Sequence, residues 1–180
     1  MKTIGKKTTR AELGAIVCRA LTAVDDEPVL VGGAVVSIYS GGRYVSDDLD
    51  FVSWLDERRR RPAMTALGFA KRGAYWIHPD TELFVQFVNP PVMVGGKHVR
   101  QAATLPTRAG PLRILSPLDC VLDRLAWHLD RGDAETLAQA IDVARAHRVP
   151  LAAIEAWLAG EGWSGDRKSL LLEVLRRRLI

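Results

Sequence analysis

The chain has 180 residues, 48% of them apolar, enough to bury one core or a small core with attached helices. Two cysteines are too few for a disulfide scaffold, and no run approaches the roughly 18 apolar residues of a membrane helix. The start, Met1-Lys2-Thr3-Ile4-Gly5-Lys6-Lys7, lacks the apolar stretch of a signal peptide, so a soluble cytoplasmic protein with no membrane contact is expected.

Net charge is +4, but its distribution is uneven. Residues 25–50 carry six acids against one base, Arg43, whereas residues 56–113 carry ten bases against four acids. An acidic patch beside a basic surface suits a site for a metal and a polyphosphate. His78, His98, His128 and His147 have no close ligand spacing, which argues against zinc.

In chain order, Thr8 or Thr9 caps a first helix whose apolar positions Leu13, Ile16, Val17, Ala20, Leu21 and Val24 recur at helical spacing. Val29 to Val31 predicts a buried strand. Gly32-Gly33 then turns into a short helix over Ala34 to Tyr39, closed by Gly41-Gly42. Phe51 to Trp54 predicts the next strand, and Asp56 caps a helix to about Leu67. Ala74 to His78 and Leu83 to Val88 flank Pro79-Asp80 and predict an antiparallel hairpin. Further strands are expected around Val99 to Leu105 and Leu112 to Leu115. Ser116-Pro117 then opens a helix with proline at its first position. Asp133 caps a second helix to about His147, Pro150 opens a third, and residues 165–179 form a fourth. The layout divides into an α/β core over residues 1–115 and a helical lobe over 116–180.

The chemistry concentrates in Gly32-Gly33-Ala34 and Asp48-Leu49-Asp50-Phe51. On a strand, residues i and i+2 project from one face with Cα atoms roughly 7 Å apart. Asp48 and Asp50 placed so repel each other unless a cation lies between them. Magnesium fits, as a hard ion that takes carboxylates together with phosphate oxygens.

These two segments, in this order and spacing, resemble the signature of the nucleotidyltransferase superfamily, built on the DNA polymerase beta fold. The resemblance implies an α/β (α+β) chain: a mixed sheet flanked by helices, followed by a C-terminal helical lobe. It implies magnesium-dependent transfer of a nucleotidyl group from a nucleoside triphosphate, with two metals about 3.5–4 Å apart across an in-line displacement. Asp48 and Asp50 correspond to the metal ligands, and Gly32 and Gly33 to the phosphate-binding turn. Ala34 takes the place where the family often has serine. Arg43 is a candidate for the triphosphate. The family draws a third carboxylate from a neighbouring strand, and Gln86 occupies that position in Glu82-Leu83-Phe84-Val85-Gln86-Phe87-Val88. Gln86 neither acts as a base nor offsets metal charge. Glu82, on the same strand face, is the fallback acid.

The acceptor stays open among RNA, a protein side chain and a small molecule. A catalytically degenerate nucleotide- or RNA-binding module is the alternative. The resemblance is to small bacterial stand-alone members, some of which belong to toxin–antitoxin systems. Arg58 to Arg61 and Arg176 to Arg178 are candidate phosphate contacts, though a charge run on a helix is usually a solvated face. Trp127 and Trp157 are expected in packing rather than in base stacking. Arg124 is a weak candidate to face the nucleotide.

Overall fold

The computed structural model describes residues 4–179. Thr9 starts α1 (Arg10–Thr22) with a reciprocal cap: the Glu12 N–H donates to its hydroxyl, and its own N–H donates to the Glu12 carboxylate. There follow β1 (Val29–Val31), α2 (Gly33–Tyr39), β2 (Asp48–Val52) and α3 (Glu57–Ala66), the last capped by Asp56. A β-rich stretch comes next: β3 (Ala70–Arg72), β4 (Tyr75–Ile77), β5 (Phe84–Val88), β6 (Met93–Val94), β7 (Lys97–His98), β8 (Ala103–Thr107) and β9 (Gly110–Ile114). Four helices end the chain: α4 (Pro117–Arg131), α5 (Ala134–His147), α6 (Leu151–Ala159) and α7 (Gly165–Leu179). Ser116, Asp133 and Pro150 stand at the starts of α4, α5 and α6, as the sequence predicts.

Seven strands make one mixed sheet in the order β3-β4-β5-β2-β1-β9-β8, and β6-β7 form a separate hairpin. β2 runs antiparallel to β1 and parallel to β5. From Asp48 to Phe51 its positions alternate between half-buried and buried, and Val52 is buried too. Leu49 and Phe51 are fully buried, and α1 and α2 pack against the sheet, with α3 against α1. Asp48 and Asp50 project the other way, with Phe84 and Gln86 beside them in register on β5. Tyr75 and Ile77 continue that open face on β4, each 43% exposed.

Three strands differ from expectation. β2 begins at Asp48, not Phe51, and ends before Trp54, which is 69% exposed. Pairing with β5 extends the strand back through the aspartates, so tertiary contact overrides their weak strand propensity. Of the strand expected from Val99 to Leu105, only Ala103 onward is strand, in β8, and residues 99–102 link it to β7. β3 escapes sequence reasoning because Ala70-Lys71-Arg72 lies at an exposed edge and carries no apolar alternation.

One buried cluster runs from Leu13 and Ile16 of α1, through Leu30, Phe51 and Ile114 of the sheet, to Leu125, Val143 and Leu175 of the final helices. The Tyr39 hydroxyl donates to the Leu115 carbonyl at 2.7 Å, tying α2 to the point where sheet gives way to helix. Among the described residues, no helix is long and apolar enough to cross a membrane.

Candidate active site

β1 leads into Gly32, whose φ of 73° and ψ of −153° define a conformation open to glycine alone. The turn is also tightly packed. A Cβ at Gly32 would lie 2.7 Å from Asp50 Oδ2, so the Asp50 carboxylate rests directly against the glycine turn. A Cβ at Gly33 would meet Ser46 Oγ at 3.0 Å and Tyr44 at 3.4 Å. The Ser46 hydroxyl in turn hydrogen-bonds the Asp48 carboxylate. Thus both aspartates reach the turn, Asp50 by contact and Asp48 through Ser46. Ala34 is fully buried, so its methyl group serves the core and only its backbone is left for a ligand.

Asp50 has its pKa pushed up to about 6, first by burial and then by the Asp48 charge, while Arg124 pulls the other way. Two carboxylates this close disfavour being ionised together unless a cation lies beside them. The donor set fits one hydrated magnesium completed by phosphate oxygens. Gln86 stands opposite Asp50 in the parallel ladder, in the position expected of a third acid, and Tyr75 is its partner on the far side. Among the described residues, no group of three His, Cys, Asp or Glu side chains is arranged to hold a metal. The protein therefore presents two carboxylates, Asp48 and Asp50, with the neutral amide of Gln86 in register beside them.

An open cleft of about 680 Å³ borders Asp50 and the glycine turn, whereas Asp48 and Gln86 lie outside its lining. Gly32, Gly33 and Asp50 lie along one wall, and Asp123, Arg124, Trp127 and Arg131 of α4 along another. α4 can do both jobs because its apolar stripe, Val121, Leu122, Leu125 and Leu129, is buried, leaving the opposite stripe for the cleft. Asp123 and Arg124 form an ion pair with Nε–Oδ2 at 3.0 Å. Burial raises the Asp123 pKa, and Arg124 opposes that shift. The Arg131 guanidinium sits 4.0 Å above the Trp127 ring. Trp127 is 39% exposed in the cleft rather than packed in the core, whereas Trp157 is buried as expected.

Other candidates lie elsewhere. Arg43 is outside the cleft lining and pairs with Asp142 of α5 at 3.3 Å. Glu82 precedes β5 and lines a separate cleft with Arg10 and Asp47, so it is not placed as a substitute acid. Half of the arginine run is structural: Arg60 stacks on Phe87 at 4.4 Å and bonds the Leu55 carbonyl, and Arg61 pairs with Glu57. Asp123, Arg131, Tyr44 and Gln139 line the cleft without having been singled out by sequence. Asp123, Trp127 and Arg131, spaced by four on the stripe opposite the apolar one, are the signal that would have found two of them.

No family model matches the sequence, and no curated protein sequence is similar enough to match. Among solved structures, an antigenic nucleotidyltransferase-like protein from Paracoccidioides brasiliensis aligns over 94% of each chain, at 13% identity and a TM-score of 0.53. The protein thus has a nucleotidyltransferase-like α+β fold. Two structures of the antibiotic-resistance factor ANT(2'')-Ia also align. The solution structure covers 96% of this chain and 94% of its own, at 11% identity and a TM-score of 0.46. The complex with adenylyl-2''-tobramycin covers 96% and 100%, at 14% identity and a TM-score of 0.47.

Proposed function

We propose that this protein binds a magnesium nucleoside triphosphate in the Gly32–Asp50 cleft and transfers its nucleotidyl group to an acceptor. The observation that carries this is the contact between the Asp50 carboxylate and Gly32, which lets one ion touch carboxylate and phosphate together. Asp48 and Asp50 would hold the magnesium, which when bound neutralises charge developing on the phosphates. The Gly32-Gly33 turn admits the phosphates close to backbone N–H groups. Arg124, whose charge reaches Asp50, adds a cation from the α4 wall. In the transfer, the acceptor oxygen bonds to the α-phosphorus as the bond to the pyrophosphate oxygen breaks. Pyrophosphate leaves and the acceptor proton goes to solvent. Gln86 orients the acceptor hydroxyl by a hydrogen bond but takes no proton from it.

Gln86 also favours a second function: a nucleotide-binding module of the same fold that does not turn over. One experiment separates the two. Magnesium with ATP should raise the thermal midpoint of the wild type by mass action, and Asp48→Asn with Asp50→Asn should remove the shift while leaving a folded protein. Label transfer from α-phosphate-labelled ATP to RNA or protein is then followed for wild type and Gln86→Glu. Slow transfer that Gln86→Glu raises by roughly 10²–10⁴-fold supports the enzyme with a weakened base. No transfer from either protein supports the binding module. A full shift retained by the double variant removes the aspartates from both accounts.

A further inference from the structure

We propose that Gln139 grips the base of the bound nucleotide, its carboxamide oxygen accepting a hydrogen bond from a base N–H; this rests on the nucleotide-binding function proposed above. Gln139 lies midway along α5 and is only 6% exposed, yet it belongs to the lining of the cleft with Gly32, Asp50 and Trp127. Its Nε2 donates weakly to Glu135 Oε1, one turn earlier, at 3.5 Å. Its Oε1 is buried with no hydrogen-bond partner. Among the described residues, the other buried atoms in this condition belong to Arg60, Arg113, Trp157 and Glu161, none of which lines this cleft.

A buried amide oxygen left unpaired is costly, and a ligand in the cleft that brings a donor to Gln139 would relieve that cost. Ionised phosphates bring none, and a water on the magnesium would serve tripolyphosphate and nucleotides alike. A nucleobase brings one, because each common base carries an N–H beside an acceptor on its pairing edge, and the second Nε2 hydrogen of Gln139 complements that acceptor. Placement agrees. Asp50 lies in register between Val31 of β1 and Gln86 of β5. The open face beyond Gln86, with Phe84 and Tyr75, leaves room for the acceptor. α5 packs against α2, on the glycine-turn side, away from that entry. The amide matches all four bases by hydrogen bonding, so it confers grip on a base rather than choice among bases.

Titration calorimetry with the magnesium complexes of ATP, UTP, ribose 5-triphosphate and tripolyphosphate tests this. Gln139→Leu should weaken ATP and UTP by about tenfold and leave tripolyphosphate and ribose 5-triphosphate unchanged. Gln139→Met, which also keeps the side-chain volume, should behave alike and stands in if the leucine variant folds poorly. Equal weakening of all four ligands would show a structural role and overturn the proposal. Equal weakening of ATP and ribose 5-triphosphate would assign Oε1 to a sugar hydroxyl and overturn it too, as would variants that bind ATP like wild type. Wild type that binds none of the four overturns the nucleotide-binding function itself, and this proposal with it.

Discussion

Asp50 carries the conflict on which the site is built. Its folded-state pKa near 6 exceeds the ordinary 3.8, so its ionised form is disfavoured in the fold. That penalty is absent below about pH 4, grows between 4 and 6, and is fully present above 6. Asp50→Asn removes it. The variant should match wild type near pH 4 and exceed it at pH 8 by about 1 kcal/mol once solvent screening is allowed for. Thermal melts at the two pH values check this, and an advantage that is equal at both, or larger in acid, would deny the repulsion. Magnesium affinity of the wild type should fall as pH drops through 6, since binding needs the carboxylate. At this scale the strand period is legible in sequence: Asp48 and Asp50 share one face of β2, Gln86 lies in register beside Asp50, and Asp50 meets Gly32. The sequence misplaced Arg43, because a loop arginine has many reachable partners and only the fold chooses Asp142. Gln139 was silent, since nothing in its neighbours distinguishes a buried amide from an exposed one on a helix.

Elements fix what the residues can do, and the β1–α2 turn is the sharpest case. Gly32 holds a backbone conformation that costs other residues about 1–3 kcal/mol, and its missing Cβ leaves the space that Asp50 Oδ2 occupies. Gly32→Ala should therefore lose stability in that range and, by pushing Asp50 aside, lose the ATP-induced thermal shift as well. Combining it with Asp50→Ala separates the two effects: the clash disappears and only backbone strain remains, so the double variant should be more stable than Gly32→Ala alone. A Gly32→Ala protein with wild-type stability and a full ligand shift would contradict the packing described here. The caps of α1, α3, α4 and α5 were legible because Thr9, Asp56, Ser116 and Asp133 satisfy helix N–H groups locally. β3 and the true start of β2 were not: β3 is an exposed edge with no apolar alternation, and the start of β2 depends on β5, distant in sequence.

In the whole molecule the cleft lies where the sheet meets α4 and α5, so its geometry depends on how firmly those helices are joined to the strands. Composition divides the chain near residue 115, but the buried cluster crosses that point without a gap, from Leu112 and Ile114 to Val121 and Leu125. Tyr39 reinforces the junction twice, through the Leu115 carbonyl and through an edge contact with His147 of α5 at 4.7 Å. Separate lobes would share little apolar surface and unfold independently, whereas a shared core couples them. We expect one cooperative transition. Leu125 is fully buried on the inner face of α4, so Leu125→Ala should cost about 2–5 kcal/mol. Far-UV circular dichroism, which reports the helices and sheet together, and tryptophan fluorescence, with Trp76 in the sheet and Trp157 in α6, should shift by the same amount. The ATP-induced stabilisation should persist at low temperature, because Leu125 is not in the cleft. A biphasic melt in which Leu125→Ala lowers only one phase would mean that the helices fold apart from the sheet, and that the wall carrying Arg124, Trp127 and Gln139 moves relative to the aspartates.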